Sequence, residues 1–263
     1  MGLESPAGSQ AGDAELQYWT HGENVRLAYR HLDGRAPTVV FLGGFSSDMT
    51  GTKATHLDAY CRARGQGFLR LDYQGHGASS GSFVDGTIGM WRDDALAVIE
   101  HCIEGPLVLV GSSMGAWIMA LGAAVLSRRL AGLVGIASAP DFTEDLIWQR
   151  LSPEQRAAIE HDGVIHLPSE YTEGGAPITL RLIENGRKHR VLDGRIRVDC
   201  RVRLLHGLDD RDVPWSQSLR LLEVLDAPDA TLELVKGGDH RLSKPADLAR
   251  ISRTLDTLLG AGE

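Results

Sequence analysis

The sequence of 263 residues lacks the features that place a protein in a membrane or on nucleic acid. It contains no apolar run near the ~18 residues of a membrane-spanning helix, which predicts no stable membrane insertion. Basic residues are fewer than acidic ones, with 27 Lys and Arg and 35 Asp and Glu, so the net charge is −8. That charge argues against nucleic acid or an anionic membrane surface as a partner.

Cysteine is scarce as well. Cys61, Cys102 and Cys200 are odd in number and far apart, which predicts reduced, buried thiols in a cytoplasmic protein. They show no metal-ligand spacing, and no two of the ten histidines form an H-E-x-x-H pattern. The Gly43-Gly44 pair lacks the lysine of a phosphate-binding loop. The sequence therefore predicts neither a metal nor a cofactor.

The beginning of the sequence lacks a targeting signal. Residues 1–15 are rich in Gly, Ala, Ser and acidic residues and show neither a basic and apolar signal pattern nor an Arg-rich amphipathic one. Pro6 stands where an N-myristoylation signal needs Ser or Thr. We expect a disordered tail over residues 1–15. The remaining residues 16–263 have a length that suits one domain.

Beyond that tail, a hairpin over residues 16–20 and 25–31 is followed by alternating strand and helix patterns. Strands that alternate with helices predict an α/β domain with a mostly parallel sheet covered on both faces. The expected strands span residues 38–42, 68–73, 106–110, 133–137, 201–205 and 231–235. The expected helices span residues 51–64, 86–104, 113–129, 216–225 and 245–259.

The segment Gly111-Ser112-Ser113-Met114-Gly115 joins an expected buried strand to an expected helix. It matches G-x-S-x-G, the strained turn that exposes a nucleophilic serine in α/β-hydrolases. The glycines suit a turn too tight for larger side chains, and the N-terminus of the following helix favours developing negative charge. A Gly/Ser turn without chemistry is the alternative, which the flanking strand and helix disfavour. The sequence thus predicts the α/β-hydrolase fold with Ser113 as nucleophile.

A serine nucleophile needs a histidine base and an acid that orients it, and in this fold they follow the serine in the order acid, histidine. Asp210 lies in the loop after the expected strand 201–205 and is the predicted acid. Asp209 and Asp212 are alternatives on the same loop. His240, in the loop before the last helix, is the predicted base.

Two other histidines lie near these loops. His206 ends a strand, and we expect it to be buried. His76 lies in a Gly-rich loop, and we expect it in the wall of a pocket.

Backbone N–H groups must also bind the oxyanion that forms during acyl transfer. The predicted donors are Met114, which follows the nucleophile, and Phe45, in the Gly-rich loop after residues 38–42, with Ser46 as the alternative to Phe45. Gly44 and Ser46 are expected to contact the substrate as well.

The alternation of strands and helices breaks over residues 139–197. Ser152-Pro153-Glu154-Gln155 predicts the start of a helix with a capping box, and residues 145–151 and 179–188 are expected helices. An insertion here in this fold is typical of a helical cap over the active site, with rim decoration as the alternative. Its apolar side chains, Trp148 above all, are expected to contact an acyl chain.

Further motifs carry a resemblance that spans about residues 27–258. They are Gly51-Thr52-Lys53-Ala54, Trp91-Arg92 with Asp94, residues 111–117, residues 167–171, residues 203–207, Val213-Pro214-Trp215 and Asp239-His240-Arg241. With them the chain resembles the acyl-protein thioesterase and acyl-glucuronide esterase branch of the alpha/beta-hydrolase-domain family. The resemblance implies a triad of Ser113, Asp210 and His240, and hydrolysis of fatty-acyl thioesters and acyl-glucuronide esters.

The sequence therefore predicts a serine hydrolase that cleaves carboxylic esters or thioesters, on a small molecule or on an acylated protein. A serine at the elbow argues against dehalogenases and epoxide hydrolases of this fold, which carry aspartate there. A serine peptidase or a C–C bond hydrolase with the same triad is an alternative. A non-catalytic binding protein of the same fold is another, which the complete triad disfavours.

Overall fold

The computed structural model describes residues 13–21, 24–168 and 174–260. Its strands are β1 (Gln17–His21), β2 (Val25–Leu32), β3 (Arg35–Leu42), β4 (Gln66–Leu71), β5 (Leu107–Ser112), β6 (Leu130–Ile136), β7 (Val164–Leu167), β8 (Ala176–Thr179), β9 (Ile196–Arg197), β10 (Arg201–Gly207), β11 (Leu225–Asp226) and β12 (Asp229–Val235). Its α-helices are α1 (Thr52–Ala63), α2 (Ile88–Cys102), α3 (Met114–Val125), α4 (Pro153–Asp162), α5 (Leu180–Lys188), α6 (Ser216–Val224) and α7 (Pro245–Leu259).

Eight strands form the main sheet in the order β1-β2-β4-β3-β5-β6-β10-β12. The strand β2 pairs antiparallel with β1 and with β4, and every other neighbouring pair is parallel. All six residues of the central strand β5 are buried, as expected for a parallel strand covered on both faces. The predicted mostly parallel α/β sheet is confirmed.

Helices cover both faces of this sheet. On one face, Leu57 of α1 and Leu255 of α7 pack against the strands in a shared apolar core. On the other, Trp91 of α2, Trp117 of α3 and Leu221 of α6 belong to a second core. The carboxyl ends of the parallel strands lie together at one edge of the sheet. Ligands bind at that edge in such sheets.

The insertion between β6 and β10 contains α4 and α5, and the predicted capping box at Ser152 is present. A helix expected over residues 145–151 is instead a π-helical turn, Thr143–Ile147, followed by a 3₁₀ turn, Trp148–Arg150. The structure also adds an antiparallel pair, β7 and β8, that the sequence analysis missed. Four-residue strands carry too few alternations to stand out in a sequence.

The predicted disordered tail over residues 1–15 lies outside the described residues except for its last three. Of these, Asp13 contacts the guanidinium groups of Arg30 and Arg70, and the Ala14 carbonyl accepts a hydrogen bond from Arg30. Residues 13–15 are therefore held against β2 and β4, ahead of the predicted domain start at residue 16. Residues 169–171 of one family motif and residues 22–23 of the predicted hairpin turn also lie outside the described residues.

Within the described part of the chain, no helix combines the length and the apolar character needed to cross a membrane.

Candidate active site

Ser113 stands at the turn between β5 and α3. Its backbone adopts φ 54° and ψ −119°, a conformation that costs a non-glycine residue about 1–3 kcal/mol. The turn is so tight that a Cβ on Gly115 would lie 2.0 Å from the Leu42 carbonyl oxygen, and one on Gly111 would lie 2.4 Å from the Gly115 carbonyl oxygen. Glycine on both sides of the serine is therefore a steric requirement of this turn, as the sequence analysis expected.

Three of the predicted side chains meet at the carboxyl ends of the strands. Ser113 follows β5, Asp210 follows β10 and His240 follows β12. The Ser113 Oγ lies 3.0 Å from His240 Nε2, and His240 Nδ1 lies 2.7 Å from Asp210 Oδ2. A hydroxyl, an imidazole and a carboxylate in this contact can pass a proton from the serine to the histidine.

Among the acids of this loop, Asp210 is the one that reaches His240. Its side chain is fully buried, and its Oδ1 accepts hydrogen bonds from the backbone N–H groups of Asp212 and Val213. Asp209 and Asp212 are exposed. Burial raises the pKa of Asp210, but hydrogen bonds from His206 and His240 outweigh it and hold the pKa well below its ordinary value. The carboxylate is therefore charged at neutral pH.

A second histidine extends this hydrogen-bonded chain. The fully buried His206 places Nε2 3.0 Å from Asp210 Oδ2 and 3.0 Å from the Val213 carbonyl oxygen, while Nδ1 lies 2.7 Å from Ser218 Oγ. Because two acceptors face Nε2, this nitrogen carries the ring proton and donates a hydrogen bond to them. The predicted burial of His206 is confirmed, whereas its contact with Asp210 was not predicted from the sequence. The spacing of four residues between the two was the available signal.

Phe45 and Met114, the predicted oxyanion donors, both border the pocket at Ser113. Met114 is the first residue of α3, so its N–H has no carbonyl within the helix to bond. In the chain as described, neither N–H donates to a backbone carbonyl of a turn or loop. Both amides are thus available to an oxygen on the substrate.

An apolar cavity of about 490 Å³ opens at Ser113, within the ~300–1,000 Å³ common for small-molecule sites. Val213 and Asp212 line it from the loop after β10, and most of its lining comes from the insertion, including Ala139. The other lining residues of the insertion are Phe142, Leu146, Ile147, Leu167, Pro168, Ala176 and Ile178. Residues of the insertion therefore line much of this cavity, and the cap over the site stays a prediction.

Three residues predicted to contact the substrate lie outside the lining of this larger cavity, and their contact with substrate stays a prediction. Trp148 does not line this cavity, because its ring lies between the guanidinium groups of Arg156 and Arg187, 5.4 Å and 4.5 Å from their carbons. Ser46 is exposed and borders a separate depression that also contains His76. Gly44 lines a smaller cavity on Ser113. Leu146 and Ile147, at the end of the π-helical turn, line the larger cavity, whereas Trp148 begins the following 3₁₀ turn.

One group of side chains could offer metal ligands in the described residues. Asp210, Asp212 and His240 place one ligand-type atom each within 4.8 Å of one another. Asp210 and His240 already hydrogen-bond to each other, and the predicted absence of a metal stays a prediction.

The chain is similar in sequence to known proteins. A sequence model described as the alpha/beta hydrolase family matches residues 39–251. The chain is 38% identical over 249 residues to palmitoyl-protein thioesterase ABHD10, mitochondrial, of Mus musculus, covering 94% of this chain and 83% of that protein. The Homo sapiens protein of the same name is 36% identical over 245 residues, with 93% and 80% covered.

The fold is also similar to the folds of solved structures. Alpha/beta hydrolase domain-containing protein 10 from mouse superposes with a TM-score of 0.87 at 38% identity, covering 94% of this chain and 98% of that one. A protein of Agrobacterium vitis S4 superposes with a TM-score of 0.89 at 41% identity, covering 93% and 98%.

Proposed function

The chain belongs to the alpha/beta hydrolase family, and on that premise we propose that it is a serine hydrolase that cleaves fatty-acyl thioesters and carboxylic esters through an acyl-enzyme. The observation that carries the proposal is the continuous contact Ser113–His240–Asp210 at the mouth of an apolar cavity. The relatives named palmitoyl-protein thioesterase support the thioester as the bond that is cleaved.

In the proposed reaction, Ser113 Oγ attacks the acyl carbon while His240 Nε2 accepts its proton. His240 then gives that proton to the leaving thiol or alcohol, which departs and leaves the acyl group on Ser113. Water attacks the acyl-enzyme by the same route, so the acid is released and Ser113 regains its proton. Asp210 keeps the proton of His240 on Nδ1, so that Nε2 is free to accept.

The negative charge on the carbonyl oxygen would be bound by the N–H groups of Phe45 and Met114. Such donors typically contribute about 10²–10³-fold each to kcat in acyl transfer, because they are oriented before charge develops. The position of Met114 at the start of α3 supports this role, since the helix dipole acts in the same direction.

The apolar cavity would hold the acyl chain, and the substrate would be a small ester, an acylated protein or an acyl-glucuronide. Among the described residues, those that the insertion contributes to the lining of this cavity are all uncharged. A labelling experiment with a fluorophosphonate, followed by parallel panels of esters, thioesters and amides with one acyl chain, tests this function. Cleavage of the amides alone would instead favour a peptidase.

Acyl-chain length should control the rate. Burial of a methylene stabilises a ligand by about 0.8 kcal/mol, so kcat/KM on p-nitrophenyl esters should rise up to about fourfold per added carbon until the cavity is full. Ile147→Ala should flatten this rise and leave acetyl esters nearly unchanged, because Ile147 forms part of the cavity wall.

The neighbouring Trp148→Ala is the matched control. It should lower the melting temperature through lost packing and cation–π contacts, while the dependence on chain length stays that of the wild type. A flat series in the wild-type enzyme would contradict an acyl-binding role for the cavity.

His206 should act as a positioning residue for Asp210. We expect His206→Phe, which removes the donor to Asp210 Oδ2, to lower kcat roughly tenfold or more, since a hydrogen bond to a charged group contributes about 1.5–3 kcal/mol. His206→Gln, which keeps a donor, should recover part of that loss. Steady-state kinetics beside a melting curve measure both; equal kcat in the two variants would argue against positioning.

The predicted cytoplasmic location stays a prediction, because the named relatives are mitochondrial.

A further inference from the structure

A second, smaller cavity meets the acyl cavity at the catalytic residues. It has a volume of about 100 Å³ and shares Phe45, Ser113 and His240 with the larger cavity. Its other walls are polar. They include Lys53 and Arg241, and no carboxylate lines it in the part of the chain that the structure describes.

A thioester or ester has two substituents on its carbonyl carbon. When that carbon lies at Ser113 with the acyl chain in the large apolar cavity, the leaving group must extend in another direction. The small cavity adjoins the same serine and the same histidine, which has to protonate the leaving atom. Its position therefore fits the leaving-group side of the substrate.

Lys53 is one of the two cations, with Arg241, that line this cavity. It is the second residue of α1, and its Nζ donates a hydrogen bond of 2.5 Å to the Arg241 carbonyl oxygen. An ammonium has three N–H donors, so this bond leaves two of them for other acceptors. The charge of Asp239 also acts on this ammonium, but the hydrogen-bond acceptor it contacts is a neutral carbonyl. An anion in the small cavity would add a charge-assisted hydrogen bond.

We propose that the small cavity is the leaving-group subsite and that Lys53 binds an anionic group there, a carboxylate or a phosphate, on the thiol or alcohol that is released. The inference rests on the proposed hydrolase function and extends it to the second half of the substrate. It also gives a role to the motif Gly51-Thr52-Lys53-Ala54, which the triad leaves unexplained.

A purely structural role for Lys53 is the competing explanation. Its bond to the Arg241 carbonyl holds the residue next to His240, so its loss could displace the base. That explanation predicts an equal loss of activity on every substrate, whereas the proposal predicts a loss that depends on the charge of the leaving group.

Matched thioesters separate the two explanations. A carboxylate is tested with S-octanoyl-3-mercaptopropionate and its neutral amide, S-octanoyl-3-mercaptopropionamide. A phosphate is tested with S-octanoyl-2-mercaptoethyl phosphate and its neutral counterpart, S-octanoyl-2-mercaptoethanol. We expect wild-type kcat/KM to favour the anionic member of at least one pair by roughly tenfold, the range of a hydrogen bond to a charged group. The pair with the larger ratio identifies the anion.

Three variants complete the experiment. Lys53→Met should bring the ratio to about one while it changes the neutral substrate less than about threefold, and Lys53→Arg should retain much of the preference. Lys244→Met is the control, because Lys244 is an exposed cation on the same loop as Arg241 but outside the small cavity. It should leave the ratio unchanged.

The pH dependence of the ratio gives a second readout. Burial lowers the pKa of Lys53 to about 8, against an opposing effect of Asp239 and with a further lowering by Arg241. His240 and Asp48 are the other titratable groups that line cavities with Lys53. The preference for the anion should therefore hold below pH 8 and fall as the pH rises through it. The ratio cancels effects of His240 that both substrates share.

No preference for either anion in the wild type, or an equal loss on both members of a pair in Lys53→Met, would overturn the proposal. Both results leave the hydrolase function intact, because the neutral thioester still reports it. No cleavage of any thioester would refute the function itself, and the leaving-group subsite with it.

Discussion

Replacement of Ser113 by alanine is expected to abolish fluorophosphonate labelling and to lower kcat by about 10³-fold or more, because the triad residues act as a unit. The variant keeps the turn, since a β-carbon is already accommodated at this position despite φ of 54°. A gel-based labelling assay and steady-state kinetics on a thioester measure the two effects.

Ser112→Ala is the matched control for this experiment. Ser112 ends β5 and is buried beside the nucleophile, yet its hydroxyl does not contact His240 in the described contacts. We expect it to keep most of the activity and all of the labelling. An inactive Ser112→Ala beside an active Ser113→Ala would mean that the nucleophile has been assigned to the wrong serine.

Asp210→Asn should lower kcat by roughly 10⁴-fold without unfolding the protein, since the amide favours the wrong tautomer of the histidine. The structure supports a large effect, because Asp210 Oδ2 accepts from both His240 and His206. Circular dichroism or a melting curve establishes that the fold is kept, and kinetics measure the loss.

The two neighbouring acids serve as controls for Asp210. Asp209 and Asp212 are exposed, and each asparagine variant should stay within about tenfold of the wild type. Asp212 also borders the acyl cavity, so a small change in its KM is compatible with the assignment. If Asp212→Asn were inactive while Asp210→Asn worked, the identity of the acid would be wrong.

The sheet and the meeting of Ser113, Asp210 and His240 could be predicted from the sequence because local patterns encode them. Buried parallel strands appear as short apolar runs, such as residues 107–110. The turn at Ser113 requires glycine at positions 111 and 115, because a β-carbon at either position would clash with the backbone. Asp210 and His240 could be chosen as candidates because each lies in the loop after a particular strand, and the topology of this fold determines which strand ends meet.

The cap could be predicted less well, because its structure depends on contacts between distant segments. Helical spacing could not show that Thr143–Ile147 forms a π-helical turn, nor that Trp148 is absent from the lining of the larger cavity. The contact of Lys53 with the Arg241 carbonyl joins residues 188 positions apart. No local pattern indicates such a pair, and the small cavity beside them was missed for the same reason.

The separation of the triad from the cavity walls has an evolutionary consequence. Ser113, Asp210 and His240 all follow strands of the main sheet, whereas most residues that line the larger cavity belong to the insertion between β6 and β10. If that cavity binds the acyl chain as proposed, substitutions in the insertion can alter which acyl group is accepted while these three side chains keep their places. Selection can then diversify substrates among descendants of one ancestral enzyme at little risk to its chemistry.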